Sequence, residues 1–234
     1  MKAPQLPPLF SALATAGADP YSAACAEARG GCDAGLVTYD IAASQLRAAV
    51  VFAPEVPLRE AMIMLPLCAV GFQNAFGALA PPEVSLQLEW TGALRLNGAR
   101  CGALTVSAVP DDPDTIPEWM VVALTLALWS EEEETGTTPD ITALSAEGCG
   151  DVEPVDLLEA WIRHTLVWIN RWTEDGVKPL HDEWTGLAHG IGEKIAHAGM
   201  SGVFRGIDEE FGLLLQRADT AKIIPLTQIL KDPP

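Results

Sequence analysis

The segment Leu88–Ala108, LEWTGALRLNGARCGALTVSA, carries the residues whose types and spacing best suit ligand chemistry. At its centre lies Asn97-Gly98, a pair that favours the tight turn of a β-hairpin because both residues tolerate positive φ. Arg100 follows the turn, and a guanidinium there could stabilise a carboxylate or a phosphate. Gly102 could let a ligand or another backbone approach closely, because glycine has no side chain. The alternative is that these residues bind no ligand and form only a β-bulge with an arginine on the surface.

Other catalytic chemistry has little support. The sequence contains no GxSxG, HExxH or P-loop pattern, so a serine hydrolase, a zinc protease and a Walker-type nucleotide site are not indicated. His181, His189 and His197 recur every eight residues, but the glycines between them argue against one continuous helix, and no metal site is predicted. The five cysteines form no CxxC pair, which is typical of free thiols in a reducing cytosol.

The elements that must position the hairpin can be predicted from the apolar pattern. Helices are predicted over Pro20–Gly30, from Pro57 to about Leu79 (where Pro66 could introduce a kink), from Pro154 to Asp175 and over Leu180–Gly190. Strands are predicted over Gly35–Asp40, Arg47–Ala53, Val84–Trp90, Ala93–Leu96, Cys101–Val109 and Glu118–Trp129. This order indicates an antiparallel meander behind helices, which is an α+β arrangement. From Gly192 onward, short strands with glycine turns predict a small barrel.

Three segments are predicted to lie outside these elements. The N-terminus is Pro-rich and extended, and it lacks the continuous apolar region of a signal peptide. Ser130–Asp140, SEEEETGTTPD, is predicted to be a solvated acidic loop. The final KDPP is predicted to be a loose tail.

The net charge of the chain limits the classes of partner that it can bind. The 234 residues carry a formal net charge of −18, and such a surface repels phosphate backbones and anionic lipids. Nucleic acid and membranes are therefore poor partners. The longest apolar stretch, Ala61–Ala80, contains Pro66, Gln73 and Asn74, and it is predicted to be a buried helix rather than a membrane span. We expect a cytoplasmic protein.

The hairpin segment resembles the biotin/lipoate protein ligase family. In that family a Trp-Pro-Asn-Asp strand leads through a turn to a strand with Gly-x-Lys-x-x-Gly-Ile-Leu. Trp90 matches the Trp, and 97–104 match the turn and the second strand. Ile141–Trp172 looks like the segment leading into the helix that closes the family's catalytic domain, and Gly202–Leu215 resembles the hairpin Gly-Ile-Asp-x-x-Gly-x-Leu of its SH3-like domain. This shared order covers most of the chain from about Asp19.

The resemblance implies both a fold and an activity. The fold is α+β, with a class II synthetase/biotin ligase-like mixed sheet flanked by helices and a small C-terminal SH3-like β-barrel. A catalytic-type domain would span residues 1–185 and the SH3-like domain residues 186–234. The family activates biotin or lipoate with ATP and transfers the acyl group to a lysine of a carrier domain, while one related class transfers octanoyl groups without ATP. The implied ligands are thus a biotin- or lipoate-like acid and ATP with Mg²⁺, and the implied partner is a biotinyl or lipoyl carrier domain.

The chain departs from the family where ATP should bind. A carboxylate and a triphosphate repel each other, so cations must offset their charge. The family uses a Gly-Arg-Gly-Arg-x-Gly loop and the lysine of Gly-x-Lys. Here only IAASQL follows the first strand, and Arg47 is the sole basic residue nearby. Counting from Trp90 without gaps puts Arg100 in the lysine position, whereas aligning on Gly102 puts Ala99 there. ATP and Mg²⁺ are therefore doubtful ligands.

Three interpretations stay open. The first is a divergent ligase or transferase in which Arg100 is the catalytic residue; its substrate-binding residues would be Trp90, Asn97, Gly98, Gly102 and Arg47. Acyl transfer without ATP fits the missing loop better than full ligation. The second is a non-catalytic module that binds an acyl ligand or a carrier protein, and the third is an α+β protein with no acyl ligand. The sequence identifies neither the acyl group, the acceptor nor the oligomeric state. The most useful observation would be a groove between the hairpin at Gly98–Gly102 and the loop at Ile41–Leu46.

Overall fold

A computed structural model describes residues 2–129, 140–197, 199–218 and 220–234. The helices are α1 (Pro20–Arg29), α2 (Leu58–Ala61), α3 (Met64–Leu79), α4 (Pro154–Asp175) and α5 (Lys178–Leu187). The strands of the large sheet are β1 (Ser11–Ala14), β2 (Leu36–Ile41), β3 (Gln45–Phe52), β4 (Leu86–Leu88), β5 (Ala93–Leu96), β6 (Ala99–Val109) and β7 (Trp119–Ala127). The small sheet contains β8 (Lys194–His197), β9 (Met200–Ile207), β10 (Leu213–Arg217) and β11 (Thr220–Ile224).

The large sheet is mixed. Its strand order is β1-β2-β3-β7-β6-β5-β4; β1 pairs with β2 in parallel, and every other neighbouring pair is antiparallel. The central strands β3 and β7, QLRAAVVF and WMVVALTLA, are almost continuously apolar, as expected of strands covered on both faces. The predicted meander is therefore present, and β1 extends it at an edge where the sequence analysis predicted only an extended N-terminus.

Helices cover the two faces of this sheet unequally. Alternate side chains of β3 and β7, such as Val50 and Leu124, belong to the main core beneath α3 and α4. The opposite face packs against α1 around Ala49 and Val51 of β3 and Trp119, Val121 and Ala123 of β7. Further along that face, Thr125 is exposed. Part of the α1-side face is thus left uncovered by the described residues.

Helices α3 and α4 form the layer behind the sheet. Pro154 begins α4, where its missing N–H costs no helical hydrogen bond. Two tryptophans of α4 donate their indole N–H groups to α3, Trp161 to the Cys68 carbonyl at 2.9 Å and Trp168 to the Asn74 side chain at 2.8 Å. Leu58–Leu79 is long and apolar enough to cross a membrane by composition, but 72% of its most apolar window is buried inside this fold, as in a core helix.

The predicted fold class is confirmed. Helices flank the mixed sheet, and a separate antiparallel sheet of order β11-β10-β9-β8 follows it, consistent with an SH3-like domain. No pairing between β8 and β11 is seen in the described part of the chain, so closure into a barrel stays a prediction.

Two local predictions are wrong. The break in the long apolar helix falls at Met62–Ile63, between α2 and α3, and not at Pro66. Pro66 lies in the first turn of α3, where a missing N–H does not interrupt the helical ladder. The C-terminal tail is also not loose: Lys231 N donates to Val106 O at 2.8 Å, and the Arg29 guanidinium donates to Pro234 O at 2.7 Å. The tail therefore covers β6 beyond the end of β5. The acidic loop prediction concerns residues 130–139, which lie outside the described residues.

Phe211 joins the two sheets. Its side chain is only 2% exposed and lies against the rings of His181 and Trp184 from α5. Its carbonyl accepts a hydrogen bond of 2.7 Å from the indole N–H of Trp90. The turn that presents Phe211 is fixed by Asp208, whose carboxylate accepts the N–H of Gly212 at 2.7 Å. Phe211 thus helps to anchor the small sheet on the large domain.

Replacing Phe211 with alanine should destabilise this junction. We expect F211A to lower the free energy of unfolding by roughly 3–5 kcal/mol, because truncating a buried phenylalanine leaves a cavity. Urea unfolding followed by tryptophan fluorescence measures the change. The control is I223A on the same small sheet, where an exposed side chain should cost less than about 0.5 kcal/mol. A loss below about 1 kcal/mol for F211A would contradict the anchoring role.

Candidate functional site

The predicted hairpin is present as β5–β6. Asn97 and Gly98 have φ angles of 48° and 94°, as a two-residue type I′ turn requires. The Asn97 side chain accepts a hydrogen bond from Ser85 N at 3.1 Å and donates one to Glu147 at 2.7 Å. In this structure the contacts of Asn97 therefore bind the turn to its protein neighbours.

Gly102 permits a close approach between strands. A Cβ atom at this position would lie 2.3 Å from the carbonyl oxygen of Thr125 in β7. The bulky group predicted to approach this glycine is thus the neighbouring backbone. A side chain at Gly102 would force β6 and β7 apart.

A β-bulge directs Arg100. Leu94 pairs with Gly102, whereas the next residue, Arg95, pairs with Arg100, so Cys101 is the extra residue on β6. The bulge brings Arg100 onto the same face as Arg95, opposite the buried Leu94. The alternative reading of the sequence, a bulge with an exposed arginine, correctly describes the backbone here.

Arg100 and Arg95 share the carboxylate of Glu89. Arg100 binds it with two nitrogens, Nε to Oε1 at 2.9 Å and Nη2 to Oε2 at 2.7 Å, and Arg95 Nε donates to Oε1 as well. Arg95 also donates to the carbonyl of Gly98 in the hairpin turn. The Glu89 side chain is 14% exposed and that of Arg100 is 54% exposed. Two guanidinium groups thus share one carboxylate.

The environment of Glu89 keeps it ionised. Burial raises the pKa of the Glu89 carboxyl, but the hydrogen bonds from Arg100 and Arg95 outweigh burial and hold the pKa below its ordinary value. Glu89 therefore stays negative at neutral pH and fixes the orientation of both arginines. Glu89 was not among the predicted site residues, although its position beside Trp90 at the end of an alternating strand could have indicated a role in the site.

Arg47 lies on the same face of the sheet, two strands away. It pairs with Thr125 of β7, which in turn pairs with Ala103 of β6. Its guanidinium donates to Asp40 at 2.7 Å and lies 3.8 Å from Asp19. The hydrogen bond from Arg47 lowers the pKa of the Asp40 carboxyl. The uncovered part of the α1-side face is thus bordered by Arg47 on one side and Arg100 on the other.

Backbone segments lie between the hairpin and the turn 41–46, where a groove would have supported a ligand site. Residues 42–44 form the whole connection between β2 and β3, and Ser44 O accepts the N–H of Leu128 at 2.8 Å. Beyond the end of β7, residues 140–142 pair with β6 instead: Arg100 N donates to Asp140 O, and Thr142 N donates to Arg100 O, each at 2.8 Å. The principal cavities of the described residues are lined by no residue of the 41–46 turn. Between Arg47 and Arg100, Thr125 is exposed.

Trp90 lies at the junction of the two sheets. It is buried, and its ring meets His197 edge-on with 5.0 Å between the centroids. Trp90 and Arg100 together line a cleft of about 290 Å³ between the end of β4 and the small sheet, which we call the junction cleft; its other lining residues include Glu89, Thr91, Arg95, His189, Glu193, Ile195, His197, Phe204 and Leu213. The remaining predicted site residues, Asn97, Gly98, Gly102 and Arg47, do not line it.

Comparison with known proteins gives a consistent result. The model of the Biotin/lipoate A/B protein ligase family matches residues 6–186, and that of a domain of unknown function, DUF4444, matches residues 191–232. The biotin–[acetyl-CoA-carboxylase] ligase of Paracoccus denitrificans is 23% identical over 169 residues, covering 70% of each protein.

Solved structures share the fold. A biotin protein ligase-like protein of unknown function from Silicibacter sp. TM1040 is 56% identical with a TM-score of 0.93, over 98% of this chain and 100% of that one. The biotin protein ligase from Aquifex aeolicus in complex with biotin and ATP has a TM-score of 0.73 at 12% identity, over 92% of this chain and 95% of that one. At that identity the likeness concerns the fold alone. Because the family model spans residues 6–186, most of the sequence, this chain belongs to the biotin/lipoate A/B protein ligase family.

Proposed function

We propose that this protein binds a biotin- or lipoate-type acyl group and transfers it to a lysine of a carrier protein. The observation that supports the proposal is the open α1-side face of the large sheet, bordered by Arg47 and Arg100, in a member of this family. The face spans β3, β7 and β6, so the two strands that carry the arginines lie about 10 Å apart.

Small side chains leave room for a ligand on this face. Ala103, Thr105, Thr125 and Ala127 supply its floor, and none of them is fully buried. An elongated acid lying across them would place its apolar body on alanine and threonine methyl groups. Its carboxyl group would then reach the guanidinium of Arg100, which Glu89 holds in one orientation.

Arg100 suits the chemistry of acyl transfer. When the lysine amine attacks the carbonyl carbon of a thioester, an amide bond forms, the carbon–sulfur bond breaks, and the amine proton leaves with the departing thiol. Negative charge develops on the carbonyl oxygen during this step, and a fixed cation stabilises it. Arginine stays protonated, so Arg100 would act as the electrostatic group and not as the base.

The residues around the β2–β3 turn fit a triphosphate poorly. The turn 42–44 has the sequence AAS and contributes no cation. The nearby Arg47 is already engaged by Asp40 and Asp19, so little positive charge is available for phosphates. We therefore infer that the acyl group arrives already activated, as a thioester or a comparable derivative, and not through ATP at this site.

Removing Arg100 should weaken acid binding. We expect R100A to lower the affinity for the best of biotin, lipoate and octanoate about 10- to 100-fold, since hydrogen bonds to a charged group contribute roughly 1.5–3 kcal/mol. Isothermal titration calorimetry measures the dissociation constants. R47A should weaken binding less, because Arg47 is satisfied by its own carboxylates. The matched control is R163A on the exposed side of α4. Binding of all three acids unchanged in R100A would contradict this site.

Transfer to a carrier distinguishes an enzyme from a binding module. We expect an octanoyl, lipoyl or biotinyl thioester to acylate a lysine of a biotinyl or lipoyl carrier domain, giving the acyl mass increment in intact-mass spectrometry. The free acids with ATP and Mg²⁺ should give much less product. If an acid binds but no donor acylates any carrier, the non-catalytic binding module replaces the proposed transferase. If only ATP-dependent transfer occurs, the inference about the missing loop is wrong.

The role of Glu89 can be tested by pH. Because its folded pKa is depressed, Glu89 contributes stability that is present above its ordinary pKa of about 4.3 and is lost as the pH falls through the lower folded value. E89Q should therefore lower the free energy of unfolding by about 1–3 kcal/mol at pH 7, and the difference from the unmodified protein should shrink below pH 4. Urea unfolding at pH 7, 5 and 3.5 measures it. E174Q, on an exposed position of α4, should show no such trend; an E89Q effect independent of pH would refute the ion-pair role.

A further inference from the structure

The junction cleft has the shape of a small-molecule site. Its volume of about 290 Å³ lies at the lower end of the range for ligand pockets, roughly 300–1,000 Å³. One wall is the strand end of the large sheet with Trp90, and the other is the small sheet with Phe204 and Leu213. The cleft therefore exists only because the two sheets are joined.

The lining of the cleft has two chemical zones. Trp90, Ile195, Phe204 and Leu213 supply an apolar zone that comes mostly from the small sheet. Arg95 and Arg100 supply a cationic zone and share the carboxylate of Glu89. The second carboxylate of the lining, Glu193, has no ion-pair partner among the described residues. An occupant that satisfies both zones needs an apolar body and a negatively charged head.

The guanidinium groups keep donors for such a head. Toward the described residues, Arg100 donates through Nε and Nη2 and Arg95 through Nε and Nη1. Nη1 of Arg100 and Nη2 of Arg95 have no acceptor among those residues. Guanidinium groups recognise carboxylates and phosphates equally through paired N–H donors.

Two histidines add hydrogen-bonding groups to the lining. Burial lowers the pKa of His197, and the positive charge of Lys231 lowers it further, so this ring is neutral at pH 7. His189 Nδ1 lies 3.3 Å from the side-chain oxygen of Gln87, which fixes the ring. The exposed carboxylate of Glu193 is the group of the cleft that would repel an anion.

We infer that the junction cleft is a second binding site, which takes a small organic anion through Arg100 and Arg95 and packs its apolar body against Trp90 and Phe204. The head is a carboxylate or a phosphate. This site is separate from the sheet face of the proposed acyl transfer, and the two have only Arg100 in common. An occupant would contact both sheets at once, so binding would stabilise their junction.

Nuclear magnetic resonance of the full chain tests the inference. The assigned ring resonances of His189 and His197 are followed during titration with octanoate and, separately, with phenyl phosphate. Acetate and inorganic phosphate are the controls, because they carry the same charged groups without an apolar body. At least one organic anion should shift both rings saturably and bind at least ~10-fold more tightly than its bare head, because the apolar zone adds affinity. If the organic anions bind no more tightly than acetate and inorganic phosphate, or if no saturable shift is seen, the proposal is overturned.

Variants separate the two sites. E193Q should tighten the binding of the organic anion about 3- to 10-fold by removing a repelling charge, while E174Q on α4 leaves it unchanged. R100A should weaken it by at least ~10-fold, and R47A should leave the histidine shifts intact. Histidine shifts that persist when acyl transfer fails, or the reverse, show which of the two proposals is wrong. An unchanged affinity in both E193Q and R100A places the anion outside the cleft and overturns the inference.

Discussion

The carboxylate of Glu89 is the interaction on which this end of the molecule depends. It receives hydrogen bonds from Arg95 on β5 and Arg100 on β6, so one side chain at the end of β4 ties three strands together. A largely buried carboxylate is costly without partners, and so is the largely buried guanidinium of Arg95 without that carboxylate. Removing any one of the three residues therefore destabilises the other two. The guanidinium of Arg100 borders both the open face and the junction cleft.

Local signals predicted the fold from the sequence, whereas the site depends on long-range contacts such as this network and could be predicted only in part. The hairpin and the main helices depend on local signals, such as Asn97-Gly98 at the turn and Pro154 at the start of α4, and these signals act within a few residues of themselves. The partner of Arg100 depends instead on a bulge at Cys101, which exchanges the faces of the strand. A change of face by one residue has no local sequence signature here, so the pairing of Arg100 with Glu89 was not predicted.

Long-range packing accounts for the other differences. The N-terminal strand β1 carries no alternation of its own, and it forms because β2 offers an unpaired edge. The C-terminal tail is short and polar, yet Lys231 finds the carbonyl of Val106 because β5 ends before β6 does. In both places an unsatisfied strand edge determined the conformation of a segment whose own sequence was uninformative. The same holds for residues 140–142 beside Arg100.

The position of Trp90 argues that the small sheet belongs to the functional unit. In the sequence, this tryptophan suggested a residue that contacts substrate, but its indole N–H is committed to the Phe211 carbonyl and its face to His197. Trp90 is adjacent in the chain to Glu89, so any displacement of the small sheet acts one residue away from the carboxylate that holds Arg100. The small sheet can thus influence the orientation of Arg100, and with it the charge presented to both proposed sites.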